Sequence, residues 1–352
     1  DELRENFVIT IKSILYFRFL LLYLIIRYLV EKNILNFKLF FISSFAFSLF
    51  VSLDIFYQLV FGQDIFGYEG FERKLSGPFG DEYIAGGYLQ RFSILSLFLF
   101  PIFFRIKKKY ILGLSIFLLT LIYFSAIILS GNRMPAILFV FAIFLALIFE
   151  KNIQKLIIPF FLIILIIFVS ALKFNKTGYS NFSNLYVQAK KIILIVTVDS
   201  VENPGAVSHL KEFESFYGTW MMNKYIGGGI KTFRSNCHNR ENIKLWLDPT
   251  TGTRFICSTH PHNYYLEILT ELGLFGFLIL LVIFFKTLSL SIKKKYKISS
   301  SLKGKYLISP FFFIFFVEIF PLKSTGGFFT TWNATFIFLI LSFTIALSLN
   351  KN

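Results

Sequence analysis

Long apolar runs constrain the fold of this chain more than any other feature. Nine of them follow one another along the 352 residues. They are 11–30, 37–60, 83–104, 110–129, 134–149, 156–172, 263–285, 306–322 and 333–349. A helix of about 20 apolar residues crosses the ~30 Å of hydrocarbon in a bilayer. Because the runs are continuously apolar instead of alternating, a β-barrel is not expected. The sequence predicts an all-α, polytopic transmembrane helical bundle of nine spans.

The scarcity of charge supports this interpretation. Charged residues make up 16% of the chain and hydrophobic residues 55%, whereas soluble domains carry about 25% charged residues. The composition excludes a soluble enzyme, a disordered tail and a disulfide-rich secreted domain. The net charge of +16 does not by itself indicate nucleic-acid binding, because Lys and Arg in membrane proteins mostly determine topology. We expect the lipid bilayer, and no nucleic acid, as a partner.

Basic residues distinguish the two ends of the predicted bundle. The connections on one side hold sixteen Lys and Arg residues, against Glu31 and Glu150. The opposite side has the acidic loop 62–82, the turn 130–133 and the segment 323–332. By the positive-inside rule the lysine-rich connections are cytoplasmic. The N-terminus then falls on the outer side, so we expect an odd number of spans upstream.

Three parts follow from this topology. Residues 1–173 hold spans one to six, 174–262 form a large outer loop, and 263–352 hold spans seven to nine. Loops of this length are uncommon unless they are functional or fold independently. Within the loop, 207–224 has the pattern of a short amphipathic helix, and a Gly-rich turn follows at 227–229.

The segment CSTHPHNYYLEILTELGLFG, at 257–276, is the most informative for chemistry. It places His262 in a loop directly before an apolar helix, with Asn263 at the cap position. Steps of four from Asn263 reach Glu267 and Glu271, so the three side chains share one helical face. An acidic stripe entering a membrane normally faces a protein interior or a wet cavity. A cap with close helix packing at the GLFG glycines explains the segment as simply, whereas His262 has the residue type of a general base.

Several motifs resemble the bacterial O-antigen ligases and the related O-antigen polymerases. The HN pair at 262–263, nine further residues and GLFG at 273–276 are similar to their H-N-x9-G-x-x-G signature. Shorter likenesses are SGNR at 130–133, YIGGG at 225–229 ahead of Phe233, and the loop 75–91. The resemblance covers roughly 70–350 in the family's order. A family member has about twelve spans, which agrees with spans missing upstream.

The resemblance implies an inverting, metal-independent glycosyltransferase without a cofactor. Its donor is a glycan on undecaprenyl pyrophosphate, and its acceptor is lipid A-core, another glycan or protein. The location implied is the bacterial inner membrane, with the active face periplasmic. Pyrophosphate is the leaving group, so cationic donors are needed to stabilise its growing charge.

The resemblance also implies roles for individual residues. Arg133 matches the family's arginine in SG-x-R and would hold the pyrophosphate, although an interfacial arginine with an extended side chain is an alternative. His262 would deprotonate the acceptor hydroxyl. Arg234, Arg240 and Arg254 compete for a second catalytic arginine, and Arg234 is favoured because it follows the Gly-rich turn.

Further candidates for substrate binding are Arg91, Asn263, Arg254 and His260. Arg91 lies about two turns into its span, within reach of a lipid phosphate, and its alternative is a structural pair with a buried acid. The other charges expected in spans are Arg18, Arg27, Asp54 and Glu318, which are functional candidates because charge at mid-bilayer is costly. Snorkelling or pairing is favoured for the first two.

The only two cysteines, Cys237 and Cys257, both lie in the large loop. In an oxidising periplasm we expect one disulfide between them. A zinc site is the alternative, since His238, His260 and His262 lie close by in sequence. The ligand spacing is unusual for zinc, so the disulfide is favoured and no metal is expected.

Three functional classes remain open. A ligase-like transferase is favoured, with a polysaccharide polymerase of the same family as its nearest alternative. A lipid-linked glycan transporter or flippase is kept open by Asp54, Arg91 and Glu318, although no internal repeat is visible. A non-catalytic assembly subunit would predict that His262→Ala changes nothing.

Overall fold

A computed structural model describes residues 2–70, 74–104, 108–150, 208–238, 262–296, 302–323 and 326–350. Across these ranges the chain is helical, and its one β feature is an isolated bridge between Gln63 and Glu69. The helices are α1 Glu2–Leu15, α2 Phe17–Glu31, α3 Phe37–Phe61, α4 Ala85–Phe103, α5 Lys109–Leu129, α6 Arg133–Phe149, α7 Ser208–Met222, α8 Phe233–His238, α9 Tyr264–Tyr296, α10 Leu302–Glu318 and α11 Thr331–Leu349. A short 3-10 helix, Gly77–Phe79, lies before α4.

Within the described ranges, six helical stretches are long and apolar enough to cross a membrane. They are Thr10–Glu31, Phe37–Phe61, Ala85–Phe103, Tyr110–Leu129, Tyr264–Tyr296 and Thr331–Leu349. Two shorter apolar helices, Arg133–Phe149 and Tyr306–Glu318, coincide with the predicted fifth and eighth spans. The predicted span 156–172 lies outside the described residues. The all-helical membrane class is therefore confirmed, and the count of nine spans stays a prediction.

Two predicted spans differ in extent from the helices. The predicted span 263–285 corresponds to α9, which continues to Tyr296 and is interrupted at Gly273, where φ is +66°. The predicted span 306–322 corresponds to α10, which ends at Glu318 because the chain turns through Pro321. The predicted amphipathic helix 207–224 is confirmed as α7.

Small side chains and phenylalanines pack the bundle. On α3, Ser44, Ser48 and Ser52 are buried at steps of four, and α3 packs extensively on α4. Small residues let helices approach closely in a bilayer, where lipid removes most of the hydrophobic driving force for helix association. At the centre of α10, Phe311 is fully buried, and its ring lies 5.2 Å from that of Phe343 on α11.

One end of the bundle is rich in lysine, and we call it the lysine end. There Lys295 on α9 pairs with Glu150 and donates to Ser309 Oγ at 2.7 Å. Lys294 donates to the carbonyl of Asn350 at 2.5 Å. The opposite end, which carries Arg133 and His262, is called the site end.

Candidate functional site

The structure describes some of the predicted site residues and not others. Arg133, His262, Asn263 and Arg91 are described, and all four lie toward the site end. For Arg234 only the backbone is described, as part of α8. Arg254, His260 and Cys257 lie outside the described residues, so their roles stay predictions.

The SGNR turn joins α5 to α6 and is docked on the start of α4. Ser130 is fully buried, and Gly131 has a φ of +73°. The Asn132 amide donates to the carbonyl of Tyr83 at 3.1 Å. A Cβ on Gly86 of α4 would lie 2.8 Å from Asn132 Cβ, so the turn and α4 are in close contact. Arg133, the first residue of α6, is exposed just beyond this turn.

Asn263 caps α9. Its Oδ1 accepts from the backbone N–H groups of Tyr265 at 3.0 Å and Leu266 at 3.1 Å, which satisfies two donors at the helix start. Its Nδ2 donates to the carbonyl of Pro321 at 2.9 Å, which ties α9 to the turn after α10. The cap expected from the sequence is therefore present, and substrate binding by Asn263 stays a prediction. His262 precedes it with a φ of +50° and is half-buried.

The acidic stripe on α9 faces the protein. Glu267 is 4% exposed and accepts from the backbone N–H groups of Phe328 and Phe329 in the loop before α11. Glu271 is 3% exposed and accepts from the backbone N–H of Lys231 at 2.6 Å. Both carboxylates thus hold loop backbone against α9, as the cost of charge within a membrane requires.

The Gly-rich turn replaces the helical hydrogen bonds that α9 loses at Gly273. The N–H groups of Leu274 and Phe275 donate to the carbonyls of Lys224 at 2.9 Å and Tyr225 at 3.1 Å.

In return, the N–H groups of Gly228 and Gly229 donate to the carbonyls of Thr270 at 3.0 Å and Glu271 at 2.8 Å. These are the two carbonyls to which residues 274 and 275 would bond in an unbroken helix. Unpaired backbone groups are costly in an apolar setting, and here the exchange satisfies both the freed donors and the freed acceptors.

This exchange requires glycine on both sides. A Cβ on Gly273 would lie 2.5 Å from the backbone N of Gly227, and a Cβ on Gly227 would lie 2.5 Å from the carbonyl O of Glu271. Both residues also have positive φ, at +66° and +79°. The expected close approach at Gly273 is thus to the backbone of a loop and not to a second helix. The structure unites two motifs that lie about 45 residues apart in sequence.

A small apolar cluster fixes α7 and α8 against the first part of α9. The rings of Phe216 and Phe233 stack with centroids 3.5 Å apart, and Leu266 and the fully buried Cys237 pack on them. Cys237 is disulfide-bonded. Because Cys257 lies outside the described residues, the pairing itself stays a prediction.

A buried ionic network lies beside α9 at the site end. Arg91 Nη2 donates to Glu318 Oε1 at 2.6 Å and to Asn333 Oδ1 at 2.7 Å. Glu318 also pairs with Lys323 and accepts from Tyr264 Oη at 3.3 Å. The alternative expected for Arg91, a structural pair with a buried acid, is therefore present, with Glu318 as the acid. Its predicted role in substrate binding is untested.

Lys323 is the residue of this network that sequence reasoning missed. Its ammonium is buried beside Glu318 and 4.8 Å from the Tyr264 ring centroid. Burial lowers the pKa of Lys323 to about 8, opposed by the attraction of Glu318 and assisted by the nearby Arg91. The sequence feature that could have identified Lys323 is its place on the outer side of the predicted topology, where lysines are few.

The other charges expected within spans also have partners. Arg27 pairs with Glu31 at 2.8 Å on an exposed face, as expected. Arg18 lies over the Phe19 ring at 4.9 Å. Asp54 Oδ1 accepts from the backbone N–H of Ile65 at 2.9 Å and so holds the loop after α3.

Continuous contacts join the SGNR turn to the His-Asn pair. Asn132 packs on the start of α4, and Arg91 on the same helix pairs with Glu318. Glu318 accepts from Tyr264, which lies two residues after His262. The tertiary structure thus brings together motifs that are about 130 residues apart in sequence. An exposed arginine and a half-buried histidine lie at the same end of a membrane bundle, on a backbone that several paired groups hold in place.

Comparisons with known proteins give a family match and likenesses to solved structures. A search of curated proteins found no match. A solved structure described as "Structural coordination of polymerization and crosslinking by a peptidoglycan synthase complex" contains a chain similar to this one at 16% identity. The alignment covers 97% of this chain and 88% of that chain with a TM-score of 0.45.

The family model described as O-Antigen ligase matches residues 117–281. The matched segment contains the SGNR turn, the Gly-rich turn and the His-Asn pair with its GLFG sequence. It also contains both partners of the backbone exchange at Gly273. The resemblance to the O-antigen ligases and polymerases is therefore confirmed over residues 117–281.

Proposed function

We propose that this protein transfers a glycan from undecaprenyl pyrophosphate to an acceptor hydroxyl, in the manner of an O-antigen ligase. Lipid A-core or a similar saccharide is the acceptor. The reaction takes place on the periplasmic face of a bacterial inner membrane, which is the site end of the bundle. The observation that carries the proposal is the family match over residues 117–281, which includes the SGNR turn, the Gly-rich turn and the His-Asn pair with its GLFG sequence.

In this proposal His262 is the general base and Arg133 binds the pyrophosphate. The acceptor hydroxyl loses its proton to His262 as its oxygen attacks the anomeric carbon, and the bond from that carbon to the pyrophosphate oxygen breaks. Arg133 is exposed at the start of α6, which supports such a role, because a charge-assisted fork of donors suits a phosphate leaving group. Arg234 on α8 supplies the second cation, and no metal is needed.

The test is glycan transfer in membranes supplied with undecaprenyl-pyrophosphate-linked glycan. His262→Ala and Arg133→Ala should each lower the rate about 10²- to 10⁴-fold, the range typical of a lost general base or a lost charge-stabilising donor. His209→Ala on α7 and Lys74→Ala in the loop before α4 are matched controls and should retain the wild-type rate. Membrane abundance of each variant is measured in parallel.

The products separate the alternatives. Attachment of intact glycan to lipid A-core supports a ligase, whereas a ladder of longer chains supports a polymerase. Wild-type transfer by both His262→Ala and Arg133→Ala would overturn the catalytic assignment. Glycan that crosses the membrane without transfer would support the transporter instead. Rescue of Arg133→Ala by a divalent cation would contradict the metal-free mechanism.

A further inference from the structure

A group of exposed apolar side chains lies where α7 and the Gly-rich turn meet α9. Ile226 at the tip of the turn is 80% exposed and Tyr225 is 61% exposed. Tyr217, Met221 and Met222 on α7 are exposed beside them. We call these five residues the apolar lip. The opposite side of α7, which carries Phe216, is buried against α9, so the lip is the outward face of a docked element.

The apolar lip is continuous with an exposed apolar face of α9. The Tyr225 ring lies 6.1 Å from the ring of Phe275, centroid to centroid. From there the exposed face continues along the helix through Leu278, Ile279, Val282 and Phe285. These positions recur at helical spacing on one side of a helix long enough to span a membrane. An exposed face of this kind on a transmembrane helix contacts lipid.

The length of α9 gives the height of the lip relative to the membrane. Lys293, the first lysine of the terminal basic run, follows Gly273 by twenty residues, which corresponds to about 30 Å of helix. This is about the thickness of the hydrocarbon core. Lys286, exposed partway along, can extend its side chain toward the same headgroups as Lys293. With the lysines at one headgroup layer, the break at Gly273 and the turn inserted in it lie at the opposite hydrocarbon boundary.

The chemistry of the turn suits that depth. Its backbone N–H groups at Gly227, Gly228 and Gly229 are all paired within the protein, so these three donors do not need water. Lys224 and Lys231 are exposed on either side of the glycines. Aromatic and aliphatic tips flanked by lysines are typical of elements that lie at the boundary between headgroups and acyl chains.

We propose that the apolar lip is a lipid-docking surface that enters the headgroup–acyl boundary of the membrane at the site end. The bilayer itself is the partner, and the lip anchors α7 and the Gly-rich turn at a set height above the hydrocarbon. The inference concerns where this subdomain sits and does not depend on the transfer reaction. It also explains why an isoleucine stands at the most exposed tip of the turn.

Depth-dependent fluorescence quenching tests the proposal. The full chain carrying Ile226→Cys is labelled with bimane under non-reducing conditions and placed in nanodiscs of phosphatidylcholine and phosphatidylglycerol. The unsubstituted chain is treated identically, and its signal is subtracted. Phe275→Cys is the membrane-facing reference, and Asp81→Cys, at an exposed acidic position of the loop before α4, is the aqueous reference.

Doxyl-labelled lipid should quench the label at Ile226 at least about twofold more than the label at Asp81, as at Phe275, and iodide should show the reverse order. Met222→Cys, a second lip position, should behave like Ile226→Cys. Quenching of the Ile226 label by iodide to the extent seen at Asp81 would overturn the proposal, since the lip would then face water. Shielding from both quenchers would also overturn it, because the lip would then be covered by protein.

Discussion

The two ends of the bundle accommodate buried charge in different ways. At the lysine end, one cation, Lys295, meets one carboxylate, Glu150, at the termini of regular helices. At the site end, one carboxylate, Glu318, meets two cations, Arg91 and Lys323, with no exposure of its own side chain. The Lys295–Glu150 pair is neutral, and the Glu318 cluster holds one more cation than anion. Charge within a membrane protein is costly, and in both clusters each buried charge has an ionic partner.

The two ends also differ in how many residues have a positive φ. In the described part of the chain, every glycine with positive φ lies at the site end, and they are Gly62, Gly67, Gly77, Gly80, Gly131, Gly227, Gly229, Gly273 and Gly326. Among the same described residues, the lysine end has one residue with positive φ, Asn33. Irregular backbone at membrane depth is tolerated only where protein or a cavity surrounds it. The irregular loops of the site end therefore hold particular side chains and backbone groups in place. At the lysine end the helices terminate, and the lysines determine the orientation of the bundle in the membrane.

The largest effect should come from adding a single methyl group at the broken helix. Gly273→Ala places a Cβ against the backbone of the Gly-rich turn in a left-handed conformation, and we expect a loss of roughly 3–5 kcal/mol in the free energy of unfolding. Two controls separate the causes. Gly62→Ala adds the same conformational strain with nothing within 4 Å and should cost about 1–2 kcal/mol. Gly87→Ala in α4 meets nothing and should be neutral or slightly stabilising.

Thermal unfolding in detergent measures all three variants. If Gly273→Ala were no less stable than Gly62→Ala, the close contact between the Gly-rich turn and α9 would contribute nothing to stability. The loss at Gly273 would then come only from the positive φ, which both glycines share.

The next effect should distinguish the two ionic clusters. Glu318→Gln leaves two buried cations without a counter-charge, so we expect a loss of about 3–5 kcal/mol. Glu150→Gln leaves only Lys295, which keeps its hydrogen bond to Ser309, and should cost about 1–3 kcal/mol. Both variants keep a side-chain carbonyl acceptor of the same shape. An equal or larger loss at Glu150 would contradict the distinction between the ends.

The third effect is a dependence of stability on pH that belongs to the site end. The pKa of Lys323 is about 8 in the folded protein and near 10.5 when unperturbed. Between these values the unfolded chain binds a proton that the folded chain does not, so stability rises with pH across this window by up to ~1.4 kcal/mol per pH unit. Lys323→Met should remove this rise, and Lys74→Met, at an exposed lysine, should keep it.

The measurement is the midpoint of thermal unfolding from pH 7 to pH 10, taken as the difference between wild type and each variant. Parallel curves for wild type and Lys323→Met would show that the Lys323 ammonium is not held below its usual pKa.

Local patterns determined much of what the structure contains. The apolar runs predicted the bounds of α3 to α6 and α11 closely and located α2, α9 and α10 with different bounds. A helix in lipid must satisfy its own backbone hydrogen bonds, so its length is visible in the composition of the sequence. The Asn263 cap and the inward acidic stripe followed from a helical spacing of four. The family resemblance rested on motifs of four or five residues, and the match over residues 117–281 confirmed it.

Only the tertiary structure decided which distant groups meet. Arg91 and Glu318 are 227 residues apart in sequence, and nothing local to either identifies the other. Gly273 was open to interpretation as a helix-packing glycine, whereas it is the point where a loop takes over the hydrogen bonds of a broken helix. Lys323 carried only a faint signal, its place on the lysine-poor side. Composition and periodicity predict which segments cross the lipid and which face of a helix is buried. Which distant residues become partners depends on the spatial arrangement of the helices, which no local pattern contains.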